Sequence, residues 1–270
     1  MGPLVDPLHL ELPQAGTSNG CFETMRAYGG RIFRLEDHLE RLYASATSLG
    51  AGVEIDRRHV GRRLRTALKR SGLNEAVVRI ALMPRREEPV SPSIVVQPAT
   101  RPPASAYRRG AQVAIVPARK FAVGSINPQA KYSARLGSVL AVIDARLRGV
   151  DEALFLDEVG SVTESTASNF GIVSKGAILT PPCWLGLLAG ITREVLFELA
   201  KELRLPIREV PLTRHDLYNA DEAFLTSTLK EVLPVTSIDG RRIGTGRPGP
   251  ITKRLHRAFQ RLVKRELHIR

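Results

Sequence analysis

Residues 131–149 read KYSARLGSVLAVIDARLRG, a lysine followed by an apolar run that closes at Gly149. Leu136, Val139, Leu140 and Ile143 recur at spacings of three and four, which predicts a helix over 133–147. Ser125-Ile126-Asn127-Pro128-Gln129-Ala130, just before it, reads as a loop, so Lys131 is expected to project from a helix start into the protein. A lysine amine attacks a carbonyl only when it is unprotonated, a state favoured by burial and by neighbouring positive charge. On position alone, an ordinary surface lysine fits equally well.

Upstream of this helix, Phe22–Ala27 and Arg31–Phe33 flank Tyr28-Gly29-Gly30 as a β-hairpin. Leu39, Leu42, Ala46 and Leu49 mark a helix over 35–49, and a second helix spans 56–71 and ends at Gly72. Ala76–Met83 and Ser93–Gln97 are apolar β runs. Further along, strands are expected at 112–116, 152–156, 169–173, 207–210 and 222–226, with a helix at 191–203. Gly249-Pro250 opens a final amphipathic helix carrying Leu255, Phe259 and Leu262. The elements mix without a steady strand–helix–strand rhythm, which reads as α+β in two domains rather than a doubly wound sheet. The stretch PATRPPASAYRRGA at 98–111 gathers three prolines among small and basic residues and is the linker candidate. The expected boundaries are a small N-terminal domain over 1–105, a linker over 106–111 and a larger domain over 112–270.

Composition narrows the function. The chain has 270 residues, 43% of them hydrophobic and 25% charged, as in a folded globular protein. No apolar stretch approaches the roughly 18 residues a membrane span requires. The start, MGPLVDPLHLELPQAG, holds two acids and three prolines and lacks a basic lead into an apolar core, so no secretory signal is read and a cytoplasmic location is expected. Cys21 and Cys183 make neither a disulfide framework nor a zinc site, and no metal is expected. The net charge of +13 invites a nucleic-acid partner. The arginines are spread along helices (Arg57, Arg58, Arg62, Arg63 and Arg65 in one, Arg254, Arg257, Arg261 and Arg265 in another), aromatics are only 5%, and no nucleic-acid-binding motif is evident. A surface that draws anionic substrates fits better than a nucleic-acid reader.

Two features join Lys131 in suggesting chemistry. Glu164, in SVTESTASNF (161–170), is an acid able to keep a pyridine nitrogen protonated; a solvated loop acid reads equally well. Leu188-Ala189-Gly190-Ile191-Thr192-Arg193 runs into the helix of 191–203. Unpaired amides and the helix dipole favour a phosphate at such a start, Gly190 lets the backbone come close, and the Thr192 hydroxyl adds a donor. Thr226-Ser227-Thr228 offers more hydroxyls at a strand end, or simple capping. Arg41 can fork onto a phosphate, or pair with Glu36 or Asp37 at helical spacing. An amine, a carboxylate and a phosphate cradle suit an aldehyde cofactor that carries a phosphate.

Taken together, GCFETMRAYGGRIFRLEDHLERL (20–42), KYSARLGSVLA (131–141), EALFLDEVGSVTESTASNF (152–170), LLAGITREVLFELAKEL (187–203), ADEAFLTSTLKEVLPVTSIDGRRIG (220–244) and GPITKRL (249–255) resemble the class IV aminotransferase family. The likeness runs from about Gly20 to Lys253. It implies a fold-type IV enzyme using pyridoxal 5'-phosphate (PLP), with a small N-terminal α/β sandwich and a larger C-terminal domain with a barrel-like sheet, and a homodimer. It implies Lys131 as the lysine that bonds the cofactor and shuttles the proton, and Glu164 as partner of the pyridine nitrogen. Arg41, Gly190, Ile191, Thr192 and Thr228 would surround the phosphate, and Leu188 would pack on the ring. Phe22, Arg79, Arg85, Arg86, Thr228 and Leu229 are the residues implied at the substrate. The implied activity is amino transfer between an amino acid, branched-chain or similarly apolar, and a 2-oxo acid. The alternative is 4-amino-4-deoxychorismate lyase, releasing pyruvate and 4-aminobenzoate. Branched-chain members often carry tyrosine five residues after the lysine; here Leu136 stands there, as in the lyase and D-amino acid subgroups.

Overall fold

The structure, a computed structural model, describes residues 20–50, 55–83, 92–100, 102–119, 128–133 and 136–269. These divide into two compact units: a smaller one of 20–50, 55–83, 92–100, 129–133 and 261–269, and a larger one of 102–119, 128 and 136–260.

In the smaller unit, β1 (Cys21–Tyr28) turns through Gly29-Gly30 into β2 (Arg31–Ile32). Both glycines take positive φ, +55° and +74°, the geometry a two-residue hairpin requires. Helices α1 (Leu35–Ser48) and α2 (Arg57–Ser71) follow. Asp56 caps α2 by accepting the His59 amide, and Gly72 closes it at φ +69°. Then β3 (Ala76–Leu82) and β4 (Pro92–Pro98) complete a four-stranded antiparallel sheet ordered β2-β1-β3-β4. Alternate residues of β1 and β3 (Cys21, Met25, Ala27; Ala76, Val78, Ile80, Leu82) join Leu35, Leu39, Leu42 and Ala46 of α1 and Val60, Leu64 and Leu68 of α2 in one core. The two helices cover one face of the sheet, the α/β sandwich expected.

The larger unit opens with α3 (Ala104–Arg109) and β5 (Ala111–Arg119). The 106–111 stretch read as linker lies in the end of α3, Gly110 and the first residue of β5. Next come α4 (Leu136–Leu147), β6 (Glu152–Leu156), β7 (Val162–Ser165), β8 (Asn169–Ser174) and β9 (Ala177–Thr180). They are followed by α5 (Ile191–Glu202), β10 (Ile207–Glu209), α6 (Arg214–Tyr218), β11 (Glu222–Ser227), β12 (Glu231–Ile238), β13 (Arg241–Arg242) and α7 (Pro250–Leu267). Strands β8, β11, β12, β5, β6 and β7 pair in turn, and β7 pairs back to β8, so the sheet closes on itself. This is the barrel-like sheet, filled by Val113, Ile115, Leu154, Leu156, Phe170, Ile172, Leu225, Leu233 and neighbours. Gly171 of β8 leaves room for the ring of Phe224, its partner on β11: a Cβ there would stand 2.6 Å from that ring.

The first turn of α7 is tied to β11. Glu222 accepts the amides of Ile251 (2.9 Å) and Thr252 (2.7 Å), an anion set at a helix start. The apolar stripe of α4 is turned away from the sheet. Leu136, Leu140, Ile143 and Leu147 are exposed, while Ala141 and Ala145 are buried against Val116, Ala153 and Phe155. Small residues let α4 sit close on β5 and β6, and the larger ones are turned outward.

Candidate active site

In the smaller unit, Lys131 is placed by strand pairing and not by a helix start. The Lys131 carbonyl accepts the Phe22 amide at 3.0 Å, the Gly20 carbonyl accepts the Ser133 amide at 2.8 Å, and Cys21 bridges Tyr132. The backbone around the lysine is thus an extra strand pair on β1. Its own amide donates to Ser45 Oγ (3.0 Å), and that hydroxyl donates to the Arg41 carbonyl (2.8 Å). Lys131 Nζ stands 4.8 Å from the centre of the Phe22 ring. The amine therefore projects from backbone fixed on two sides, by β1 and by α1.

Beneath it lies a buried charge cluster that the sequence reading passed over. Glu23 is fully buried, and Arg41 forks onto it, Nε to Oε1 at 2.7 Å and Nη2 to Oε2 at 2.9 Å. His38 Nδ1 lies 2.8 Å from Glu23 Oε2. Burial alone would raise the Glu23 carboxyl, but the charge of Arg41 and the hydrogen bonds from His38 and Arg41 outweigh it and hold the group at about 2. Glu23 is an ionised acceptor, so His38 Nδ1 is the donor. Burial pushes His38 below its ordinary value despite Glu23, and the charges of Arg41 and Lys131 push the same way. Burial, then the Glu23 charge, lifts the Cys21 thiol to about 11, which keeps it inert. The signal for this cluster was present: His38 and Arg41 are three residues apart on one helix face, and Glu23 alternates with the core residues Cys21 and Met25. Arg41 does not pair with Glu36 or Asp37, whose partners are Arg65 and Arg34.

A pH dependence follows. A histidine held below its ordinary value is protonated more readily in the unfolded chain, so its stability contribution is intact above the unfolded value of 6.5 and is lost as pH falls through it. Glu23, held below its unfolded value of 4.5, adds a second loss at more acid pH. The unfolding midpoint is expected to fall from pH 7.5 to 5.5, with a slope of at most about 1.4 kcal/mol per pH unit from this histidine, and His38→Gln to flatten it. Thermal denaturation across that range checks this; an equal slope in the variant would contradict it.

Arg79 of β3 pairs with Thr24, and Ala81 with Phe22. Directly opposed residues share a face, so Phe22, Thr24 and Arg79 line the sheet face turned away from α1 and α2. Arg85 and Arg86 lie outside the described residues.

In the larger unit, Glu164 is a buried residue of β7, 7% exposed, and not a solvated loop acid. Its Oε2 accepts from Asn169 Nδ2 (3.1 Å) and from the Leu188 amide (3.1 Å). Asn169 Nδ2 also donates to the Leu188 carbonyl (2.8 Å). Asn169, not singled out from sequence, thus joins Glu164 to the segment leading into α5; its presence in the SNF stretch was the only cue. That segment requires a glycine: a Cβ on Gly190 would come within 1.9 Å of Asn169 Oδ1. Gly190 is the N-cap of α5 and brings no side-chain acceptor, so the first-turn amides at the buried Ile191 and Thr192 have no side-chain cap. Thr228 and Leu229 occupy the turn between β11 and β12, half-buried. One unit therefore carries Lys131, Arg41, Phe22 and Arg79, and the other carries Glu164, Leu188, Gly190, Ile191, Thr192, Thr228 and Leu229.

Comparison with known proteins identifies the family. The amino-transferase class IV family profile matches residues 20–238. A Methanocaldococcus jannaschii protein, whose name as a branched-chain-amino-acid aminotransferase is provisional, is 39% identical over 251 residues, covering 90% of this chain and 86% of its own. The crystal structure of the Escherichia coli branched-chain amino acid aminotransferase superposes with a TM-score of 0.88 at 31% identity, over 93% of this chain and 86% of the other. The branched-chain aminotransferase of the thermophilic archaeon Thermoproteus uzoniensis, solved with norvaline, gives 0.84 at 33% identity, over 90% and 85%. The chain belongs to the amino-transferase class IV family. It is a transaminase on the two-unit, barrel-containing fold just described.

Proposed function

We propose that this transaminase uses PLP to move the amino group of branched-chain or similarly apolar amino acids to a 2-oxo acid, with Lys131 as its catalytic residue. The observation that carries the reading is the doubly fixed backbone of Lys131, which aims one amine past the Phe22 ring. The residues fit the cofactor. A glycine-capped helix start with no side-chain acceptor suits a phosphate, and a buried carboxylate steadied by Asn169 suits a protonated ring nitrogen. When bound, PLP supplies an aldehyde for attachment and a ring that withdraws the electron pair released at the substrate Cα.

The chain's residues do the rest. Lys131 Nζ would hold the cofactor by its aldehyde and, as the free amine, would take the substrate's α proton and return it during transfer. Glu164 would accept a hydrogen bond from the protonated ring nitrogen. Ile191 and Thr192 would offer backbone amides to the phosphate, Thr192 and Thr228 their hydroxyls, and Arg41 its guanidinium. Glu23 and His38 hold that guanidinium's orientation. Leu188 would pack on the ring, and Gly190 would allow the phosphate a close approach. Phe22 and Leu229 provide apolar contact to the substrate side chain, and Arg79 meets a carboxylate, with Arg85 and Arg86 as further candidates.

The substrate class is supported by the names of the relatives, which are branched-chain enzymes. A panel of leucine, isoleucine, valine and D-alanine with 2-oxoglutarate and pyruvate tests it. The expected result is kcat/KM highest for the branched-chain donors. Turnover of aminodeoxychorismate to 4-aminobenzoate with idle branched-chain donors would replace this reading with the lyase.

We also infer a homodimer. Leu136, Leu140, Ile143 and Leu147, each at least 47% exposed, form a stripe along α4 with the spacing of a helix-pairing seam. Light scattering is expected to give twice the chain mass, and Leu140→Glu with Ile143→Glu to reduce it; a monomeric wild type would contradict the dimer. A cytoplasmic location fits the two free thiols, Cys21 and Cys183.

A further inference from the structure

The larger unit contains a buried ion pair with no part in the chemistry above. Lys230 and Glu152 are 7% and 6% exposed. Lys230 Nζ donates to Glu152 Oε2, and also to Ser168 Oγ at 3.2 Å. Thr166 Oγ1 donates to the other carboxylate oxygen, Oε1. The pair thus spans three places: the start of β6, the 166–168 connection and the turn after β11.

Both ends of this tie lie beside residues assigned to the cofactor. Ser227 and Glu231 face each other across the hairpin, leaving Thr228, Leu229 and Lys230 as its loop. The loop is held through its last residue, Lys230. Lys230 donates its amide to Ser227 Oγ (3.2 Å), and its carbonyl accepts the Tyr107 hydroxyl (3.0 Å). Glu231 takes φ +53°, a conformation unfavourable without glycine, and its carboxylate is held by His256 Nε2 at 2.9 Å. His256 stacks on Tyr107 with ring centres 4.4 Å apart. At the other end, the connection holding Thr166 and Ser168 runs between Glu164 on β7 and Asn169 on β8, the two residues that bond each other and meet Leu188.

We propose that Lys230 and Glu152 are a positioning pair that ties the Thr228 turn to the Glu164–Asn169 connection, setting the phosphate and ring-nitrogen contacts of one cofactor at a fixed separation. This rests on the cofactor reading above. Removing two charges from water is costly, and a well-packed apolar pair of similar volume is often no less stable. Geometric uniqueness is the return for that cost: a lysine reaching a carboxylate and a hydroxyl at once allows the turn one placement. Misplacing a binding group by about 1 Å costs up to about 10²-fold, so the pair acts through position without touching the cofactor.

The test compares wild type, Lys230→Met/Glu152→Gln, which leaves no unpaired buried charge, and Lys230→Arg. Apoprotein is titrated with PLP by absorbance, and the pH midpoint of the bound cofactor's spectrum is recorded. The double variant is expected to raise the PLP dissociation constant about tenfold and to move the spectral midpoint, while Lys230→Arg stays near wild type. Hydrogen exchange on wild type, with and without PLP, supplies a readout independent of any variant: segments 165–169 and 227–231 should gain protection together. Unchanged PLP affinity and spectrum in a folded double variant would overturn the proposal, as would protection confined to one segment. Wild type that takes up no PLP would remove the cofactor reading itself, a result distinct from loading that the pair does not influence.

Discussion

Lys131→Ala lowers turnover by more than about 10⁴-fold and removes the visible absorbance of the lysine-linked cofactor. The size follows from losing two roles at one atom, since proton transfer by a positioned side chain alone contributes about 10²–10⁴-fold and covalent attachment adds to it. The fold should tolerate the change. Lys131 is fixed through its backbone, by the Phe22 amide, the Ser45 hydroxyl and the neighbouring Cys21–Tyr132 bridge, and alanine keeps each of these contacts. PLP should still bind, held by the phosphate contacts, but reversibly on gel filtration. The measurement is turnover together with the absorbance spectrum; a variant with wild-type colour and rate would show that another amine does the work.

The second large effect is expected at Glu164. Glu164→Gln keeps an oxygen able to accept from Asn169 Nδ2 and from the Leu188 amide, so β7 and the approach to α5 should hold their shape. The amide cannot carry the negative charge that keeps a pyridine nitrogen protonated. A hydrogen bond to a charged group is worth about 1.5–3 kcal/mol, so turnover should fall by roughly 10²-fold with PLP still covalently attached. Steady-state kinetics and borohydride trapping on one preparation check the split. Full turnover in Glu164→Gln would remove the carboxylate from the mechanism; loss of attachment would show that it serves the fold instead.

What the sequence disclosed follows from the range of the interactions involved. The β1–β2 hairpin, α2 and α7 were legible because each is punctuated locally, by Gly29-Gly30, by Asp56 and Gly72, and by Gly249-Pro250. Closure of the barrel was not. β12 carries Pro234, which argues against a strand, yet the pairing with β5 begins only at Val235 and leaves the proline at its margin. β7 is four residues long, and Thr163, Glu164 and Ser165 are polar, so the stretch reads as a loop until the barrel buries it. The sequence places Lys131 before a helix start because apolar periodicity is a local signal, whereas the strand its segment pairs with, β1, lies about 110 residues earlier in the chain. Of the proposed site, Lys131, Glu164 and Gly190 stand out by local sequence alone. The residues that hold them, Glu23 and His38 under Arg41, Asn169 beside Glu164, and Lys230 with Glu152, act across elements and came only with the fold.

The attachment point is the most direct test of all. Protein incubated with PLP, reduced with borohydride, digested and mapped by mass spectrometry should carry one phosphopyridoxyl group, on the peptide containing Lys131. A group on any other lysine, or no adduct at all, would contradict the account.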